Sequence, residues 1–117
     1  MVTGSPPGIG EHMARRFVAE GAKVILHGRN AERGAALVSE LGAYNAAFCQ
    51  GDLGDAAYPA QLAEDALAVH GRIDALVNNA CLVTRNKIED TNAEFFARLI
   101  GVIARAPLLL LLSVPQL

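Results

Sequence analysis

Val2-Thr3-Gly4-Ser5-Pro6-Pro7-Gly8-Ile9-Gly10 decides the fold of this chain. The stretch runs from a short apolar segment into a helix-period one, and glycines at 4, 8 and 10 give the spacing G-x-x-x-G-x-G. Glycine permits a tight reversal, lets the backbone approach an anion and allows a helix to pack closely on a strand. The N–H groups opening the following helix then face that anion with the positive end of its dipole. Plain strand-to-helix turns carry the same spacing, so residues further along must decide between the two.

Downstream, short apolar runs alternate with amphipathic stretches. Lys23-Val24-Ile25-Leu26-His27, Ala46-Ala47-Phe48-Cys49-Gln50 and Ile73-Asp74-Ala75-Leu76-Val77-Asn78 each have the length of a buried strand. With Met1-Val2-Thr3 they make four. Between them, Ile9, Met13 and Phe17 share a helical face, with Ala14 and Val18 beside it. Asn30 is placed to cap a second helix through Leu37, Val38 and Leu41. A third starts near Asp55 with Pro59 in its first turn and ends at Gly71. Thr91-Asn92-Ala93-Glu94 has the capping-box pattern for a fourth, running through Phe95, Leu99 and Val102. Strand and helix in alternation predict right-handed crossovers and a parallel sheet covered on both faces, in one domain spanning 1–117.

Composition narrows the function. Hydrophobic residues are 52% of the 117, charged residues 19%, and the net charge is −2. That excludes a basic nucleic-acid arm and a membrane-surface patch as partners. Leu99 to Val114 is interrupted by Arg105 and Pro107 and falls short of the roughly 20 apolar residues that cross a bilayer, so a core helix is expected. Cys49 and Cys81 form neither a disulfide framework nor a zinc cluster, and His12, His27 and His70 are too dispersed for a metal site. With no basic-then-apolar leader, a reducing cytoplasm is the expected setting.

Three motifs occur in one order: Thr3-Gly4-x-x-x-Gly8-Ile9-Gly10, Asp52-Leu53 after the third strand, and Leu76-Val77-Asn78-Asn79-Ala80 after the fourth. Together they resemble the short-chain dehydrogenase/reductase family, its 3-oxoacyl-carrier-protein-reductase-like branch most of all. The resemblance covers nearly the whole chain. It implies an α/β, Rossmann-like fold, truncated after the fourth helix, and the nucleotide side of an oxidoreductase. By that resemblance Gly4, Ser5, Gly8, Ile9 and Gly10 hold the pyrophosphate, Asp52 and Leu53 contact adenine, and Asn79 and Ala80 lie beside the nicotinamide ribose. Asp52 as a turn cap and Asn79 as a turn former are the plainer roles for those side chains. At the end of the second strand an NAD site wants a carboxylate and a 2′-phosphate wants an arginine. Here Gly28 is followed by Arg29, which favours NADP(H) over NAD(H).

The sequence also departs from the family. Pro6 and Pro7 remove two N–H donors from the glycine loop. Cys81 replaces a glycine, and a small apolar filler is its expected role. The family's proton donor is a Tyr with a Lys four residues on, but Phe48 and Leu62 stand four beyond Tyr44 and Tyr58. Alignment puts Ile103 where the family has a catalytic Asn, so no catalytic residue is assigned. The expected activity is therefore cofactor binding without hydride transfer by this chain alone. The rival expectation is a non-catalytic module. It would meet a second copy or a complementing chain through an open sheet edge and the Leu108 to Leu112 helix, whose five leucines cannot all face one side.

Overall fold

Extended chain and helix alternate in the order the apolar runs predict. α1 spans Ile9–Ala19, β1 Val24–Gly28, α2 Ala31–Leu41, β2 Ala46–Gln50, α3 Tyr58–His70, α4 Ala93–Ile100 and α5 Ala106–Ser113. A 3-10 turn at Ile88–Asp90 precedes α4, and a π turn, Gly101–Arg105, joins α4 to α5. The computed structural model describes residues 1–115.

β1 and β2 pair in parallel, Val24 opposite Ala46 through Gly28 opposite Gln50. The other two expected strands are each reduced to a bridge: Val2 pairs in parallel with Leu26 on one side and Val77 on the other. The order across the sheet is thus Val77, Val2, Leu26, Phe48. The Ile73–Asn78 strand is short for a physical reason. Among the described residues its sheet neighbour is Met1–Thr3, held by Met1 N to Ala75 C=O at 2.7 Å, Val77 N–H to Met1 C=O at 2.9 Å and Thr3 N–H to Val77 C=O at 3.0 Å.

Two cores sandwich this sheet, which makes the architecture α/β with helices on both faces. On one face Val2, Val24, Leu26 and Ala46 pack with Ala14 of α1 and Leu37 of α2. On the other, Ile25, Leu53 and Ile73 pack with Leu62, Ala63 and Ala66 of α3 and with Ala106, Leu110 and Val114. The caps follow sequence chemistry in part. Asn30 accepts the Arg33 N–H at 3.0 Å and Gly71 takes the left-handed conformation after α3. At α4 the cap is Asn92, which accepts the Phe95 N–H at 2.8 Å, and not Thr91. The Thr91 hydroxyl donates instead to Lys87 C=O at 3.0 Å, closing the 3-10 turn and leaving the capping box unmade.

Two further expectations are corrected. On α1, Ile9 and Phe17 are exposed; Gly10 and Ala14 are the buried pair, because the glycine loop needs the smallest side chains against the sheet. Phe96, on α4, is 60% exposed. The helix from Ala93 to Ser113 is continuous through the π turn and is, by length and composition, long and apolar enough to cross a membrane. The count from Leu99 missed that because the helix begins six residues earlier. In this fold its Ala106 and Leu110 are buried in the core shared with α3.

Candidate functional site

A cleft of about 310 Å³ opens at the carboxyl ends of the parallel segments. Gly4, Pro6, Pro7, Ile9, Arg29, Asp52, Leu53, Asn79, Ala80 and Cys81 are among the residues that line it. A larger hollow, about 570 Å³, lies at the opposite end, around Met1, Lys23 and Ile73. Volume favours that one, but chemistry favours the smaller cleft: ligands of open α/β sheets bind outside the carboxyl ends of the strands, where the glycine turn and the start of α1 converge.

The mouth is built by backbone hydrogen bonds that glycine makes possible. Gly4 has φ +71°, and a Cβ there would come within 2.7 Å of Ala80 Cα. A Cβ on Gly10 would meet Asn79 Nδ2 at 2.7 Å and Gly4 O at 2.8 Å. Glycine at both positions therefore draws the first turn of α1 onto the 79–80 turn. The Thr3 hydroxyl oxygen accepts N–H groups from Asn79 and Ala80, both at 3.1 Å. Asn79 Nδ2 donates back to the carbonyls of Thr3 and Gly4, at 3.1 and 3.2 Å. Asn79 is thus a brace across the mouth as well as a lining residue.

His27 ties a second pair of loops. It is 2% exposed, and its Nε2–H donates to Gly51 C=O at 3.0 Å while Nδ1 faces the Gly4 N–H at 3.4 Å. That pattern assigns the neutral Nε2–H tautomer. Burial holds the ring below the usual histidine range, against the opposing pull of Gly51 C=O and Asp52. Tyr58 packs 5.7 Å from it, ring centre to ring centre. Burial, then Cys49 and Asp65, pushes the Tyr58 phenol up to about 12.

The residues singled out in the sequence divide into two groups. Gly4, Ile9, Arg29, Asp52, Leu53, Asn79 and Ala80 line the cleft together. Ser5, Gly8 and Gly10 shape it from behind. Ser5 is fully buried with its hydroxyl on Val2 C=O at 3.1 Å, Gly8 precedes α1 at φ +102°, and Gly10 is the close-packing contact. Cys81 is exposed in the cleft and is not an apolar filler, because the chain leaves the sheet at that point. Ile103 lies in the π turn, 44% exposed. His27 and Arg98 were not assigned to the site from sequence; their contacts are to residues 24 and 46 positions away, beyond any local pattern.

The cradle fits a dinucleotide. Gly8 caps α1 without a side-chain hydrogen bond, which leaves the first-turn amides without a competing side-chain acceptor. A Cβ at Gly8 would touch nothing within 4 Å, so the approach to those amides is open. Pro6 and Pro7 offer no N–H, so anion donors come from the helix start. Among the described residues the Arg29 guanidinium enters no ion pair.

Comparison with known proteins agrees with this geometry. The short chain dehydrogenase family model matches residues 1–116. An uncharacterized oxidoreductase of Thermotoga maritima is 35% identical over 113 residues, covering 94% of this chain and 44% of that protein. The NADP-dependent (R)-specific alcohol dehydrogenase of Lentilactobacillus kefiri is 35% identical over 103 residues, 87% of this chain and 41% of that one. A metagenomic short-chain oxidoreductase solved in complex with NADP superposes with a TM-score of 0.86 at 35% identity, over 97% of this chain and 53% of its own. The chain therefore spans about half the length, or less, of the relatives it matches.

Proposed function

The chain belongs to the short-chain dehydrogenase family, and on that premise we propose that it binds NADP(H) in preference to NAD(H) and performs no hydride transfer by itself. Arg29 carries the preference. It follows Gly28 at the rim of the cleft, where a carboxylate would bond ribose hydroxyls, and its guanidinium matches a 2′-phosphate bidentately. The L. kefiri enzyme named NADP-dependent and the NADP-bound metagenomic structure support the same choice.

The chain's own residues orient the dinucleotide. Amides at the start of α1, around Ile9 and Gly10, hold the pyrophosphate against the helix dipole. Asp52 and Leu53 receive the adenine. Asn79 and Ala80, locked by the Thr3 hydroxyl, support the nicotinamide ribose. Bound nicotinamide supplies or takes up a hydride in redox chemistry. The proton donor that must accompany reduction of a carbonyl is what these 117 residues lack, since no Tyr precedes a Lys by four positions.

Titration tests the reading. NADPH should bind more tightly than NADH, and Arg29→Ala should weaken NADPH by about tenfold or more while leaving NADH unchanged, the loss of one charged hydrogen-bond pair. Equal affinities, or an indifferent Arg29→Ala, overturn the preference; reduction of a carbonyl panel by the purified chain overturns the inactivity. One observation favours the rival module reading. Phe96, Leu108, Leu111 and Leu112 are 53–74% exposed along α4 and α5. A defined oligomer covering that face, with no nucleotide affinity, would establish it instead.

A further inference from the structure

The loop that receives the adenine is held from outside the sheet by the helix that follows it 40 residues later. Asp52 Oδ1 accepts the Gly54 N–H at 2.8 Å, while Oδ2 accepts Arg98 Nη2, from α4, at 2.9 Å. The guanidinium lies across Gly54, where a Cβ would sit 2.6 Å from Arg98 Nη1. Arg105, in the π turn, donates from Nη2 to Gly54 C=O at 2.8 Å. Leu53, between the two held residues, is 4% exposed and plugged into the core. Three successive residues are therefore pinned by three independent contacts, on an otherwise irregular segment.

We propose that Arg98 is a positioning residue for the adenine end of the bound nucleotide: it fixes the Asp52 carboxylate in the orientation that accepts the adenine amino group. This rests on the nucleotide reading above. A carboxylate on a loop samples several rotamers, and a bond to a free base requires it to be held beforehand. One Asp52 oxygen is anchored by the loop itself and the other by Arg98, and each retains a second lone pair for an incoming N–H. With side chains 42% and 43% exposed, the Arg98–Asp52 pair contributes little to stability on its own. Its value lies in geometry.

The experiment is isothermal titration calorimetry of NADPH, adenosine 2′,5′-bisphosphate and nicotinamide mononucleotide into the wild-type chain, Arg98→Ala, Arg98→Lys, Asp52→Asn and the Asp52→Asn/Arg98→Ala double variant. Far-UV circular dichroism verifies the fold, and Arg16→Ala on the far side of α1 serves as control. Arg98→Ala should weaken NADPH and the bisphosphate alike, by about fivefold to tenfold, and leave the mononucleotide unchanged. Arg98→Lys should restore part of the affinity, and the double variant should bind no more weakly than Asp52→Asn alone. Wild-type affinity in Arg98→Ala, additive losses in the double variant, or an equal loss for the mononucleotide overturns the proposal. A wild-type chain that binds no nucleotide overturns the underlying reading, and this one with it.

Discussion

The cleft mouth and the α4–α5 arm are built on opposite plans. At the mouth, Thr3, Gly4 and Ser5 are tied to His27 and to Val77, Asn79 and Ala80 by hydrogen bonds across 22 to 77 residues of chain. Little of that network depends on apolar contact. The α5 end of the arm relies on apolar contact, while α4 and the π turn are tied to the Asp52–Gly54 loop by Arg98 and Arg105. Ala106 and Leu110 are fully buried, while Leu108, Leu111 and Leu112 on the same helix are more than half exposed. A mouth fixed by directional bonds places ligands accurately and tolerates no added volume; α5, fixed by one apolar stripe, tolerates change off that stripe.

The largest test of this contrast sits on the arm. Leu110→Ala should cost about 2–5 kcal/mol, as a buried leucine does, whereas Leu111→Ala should stay within about 0.5 kcal/mol. Urea denaturation of both variants checks it; similar losses would show the arm to be packed all round. At the mouth, Gly4→Ala should cost about 2–4 kcal/mol, combining a strained positive φ with the 2.7 Å encounter at Ala80. A loss under about 1 kcal/mol would show that the mouth can spread.

A smaller effect is expected from acid. His27 is held neutral, its folded-state pKa below the unfolded 6.5. The unfolded chain therefore binds the proton first, so stability is full above about pH 6.5 and falls as pH drops below it towards the folded value. Denaturation midpoints at pH 7.5 and 5.5 should show this fall, and His27→Gln should reduce it. The smallest expected effect is at the α4 cap. Asn92→Ala should lower stability by about 1 kcal/mol and Thr91→Ala by less, in thermal melts of the two variants.

Much of the fold was legible because its signals are local. β1 and β2, the caps at Asn30 and Gly71, and Pro59 in the first turn of α3 each follow from a few neighbouring residues. Periodicity misjudges the α1 face because it ranks Ile9 and Phe17 above Gly10, while packing at the glycine turn rewards the absence of a side chain. Of the site, the cleft-lining glycines, Arg29, Asp52 and the 79–80 turn were legible from motif spacing. The Thr3 hydroxyl, the His27 bridge and the Arg98 contact were not, because each joins segments that only the folded sheet brings together.

The π turn has one more effect. An α-helix advances roughly 100° per residue, so a turn that takes in one extra residue rotates everything after it by that angle about the axis. Beyond it, Ala106, Leu110 and Val114, four residues apart, form the stripe buried in the core shared with α3. Arg105, the last residue of that turn, donates to Gly54 C=O at 2.8 Å. The helix thus carries its own phase correction, and losing one residue at Ile103 or Ala104, both on the solvent side, would disturb the register less than losing one anywhere in α5.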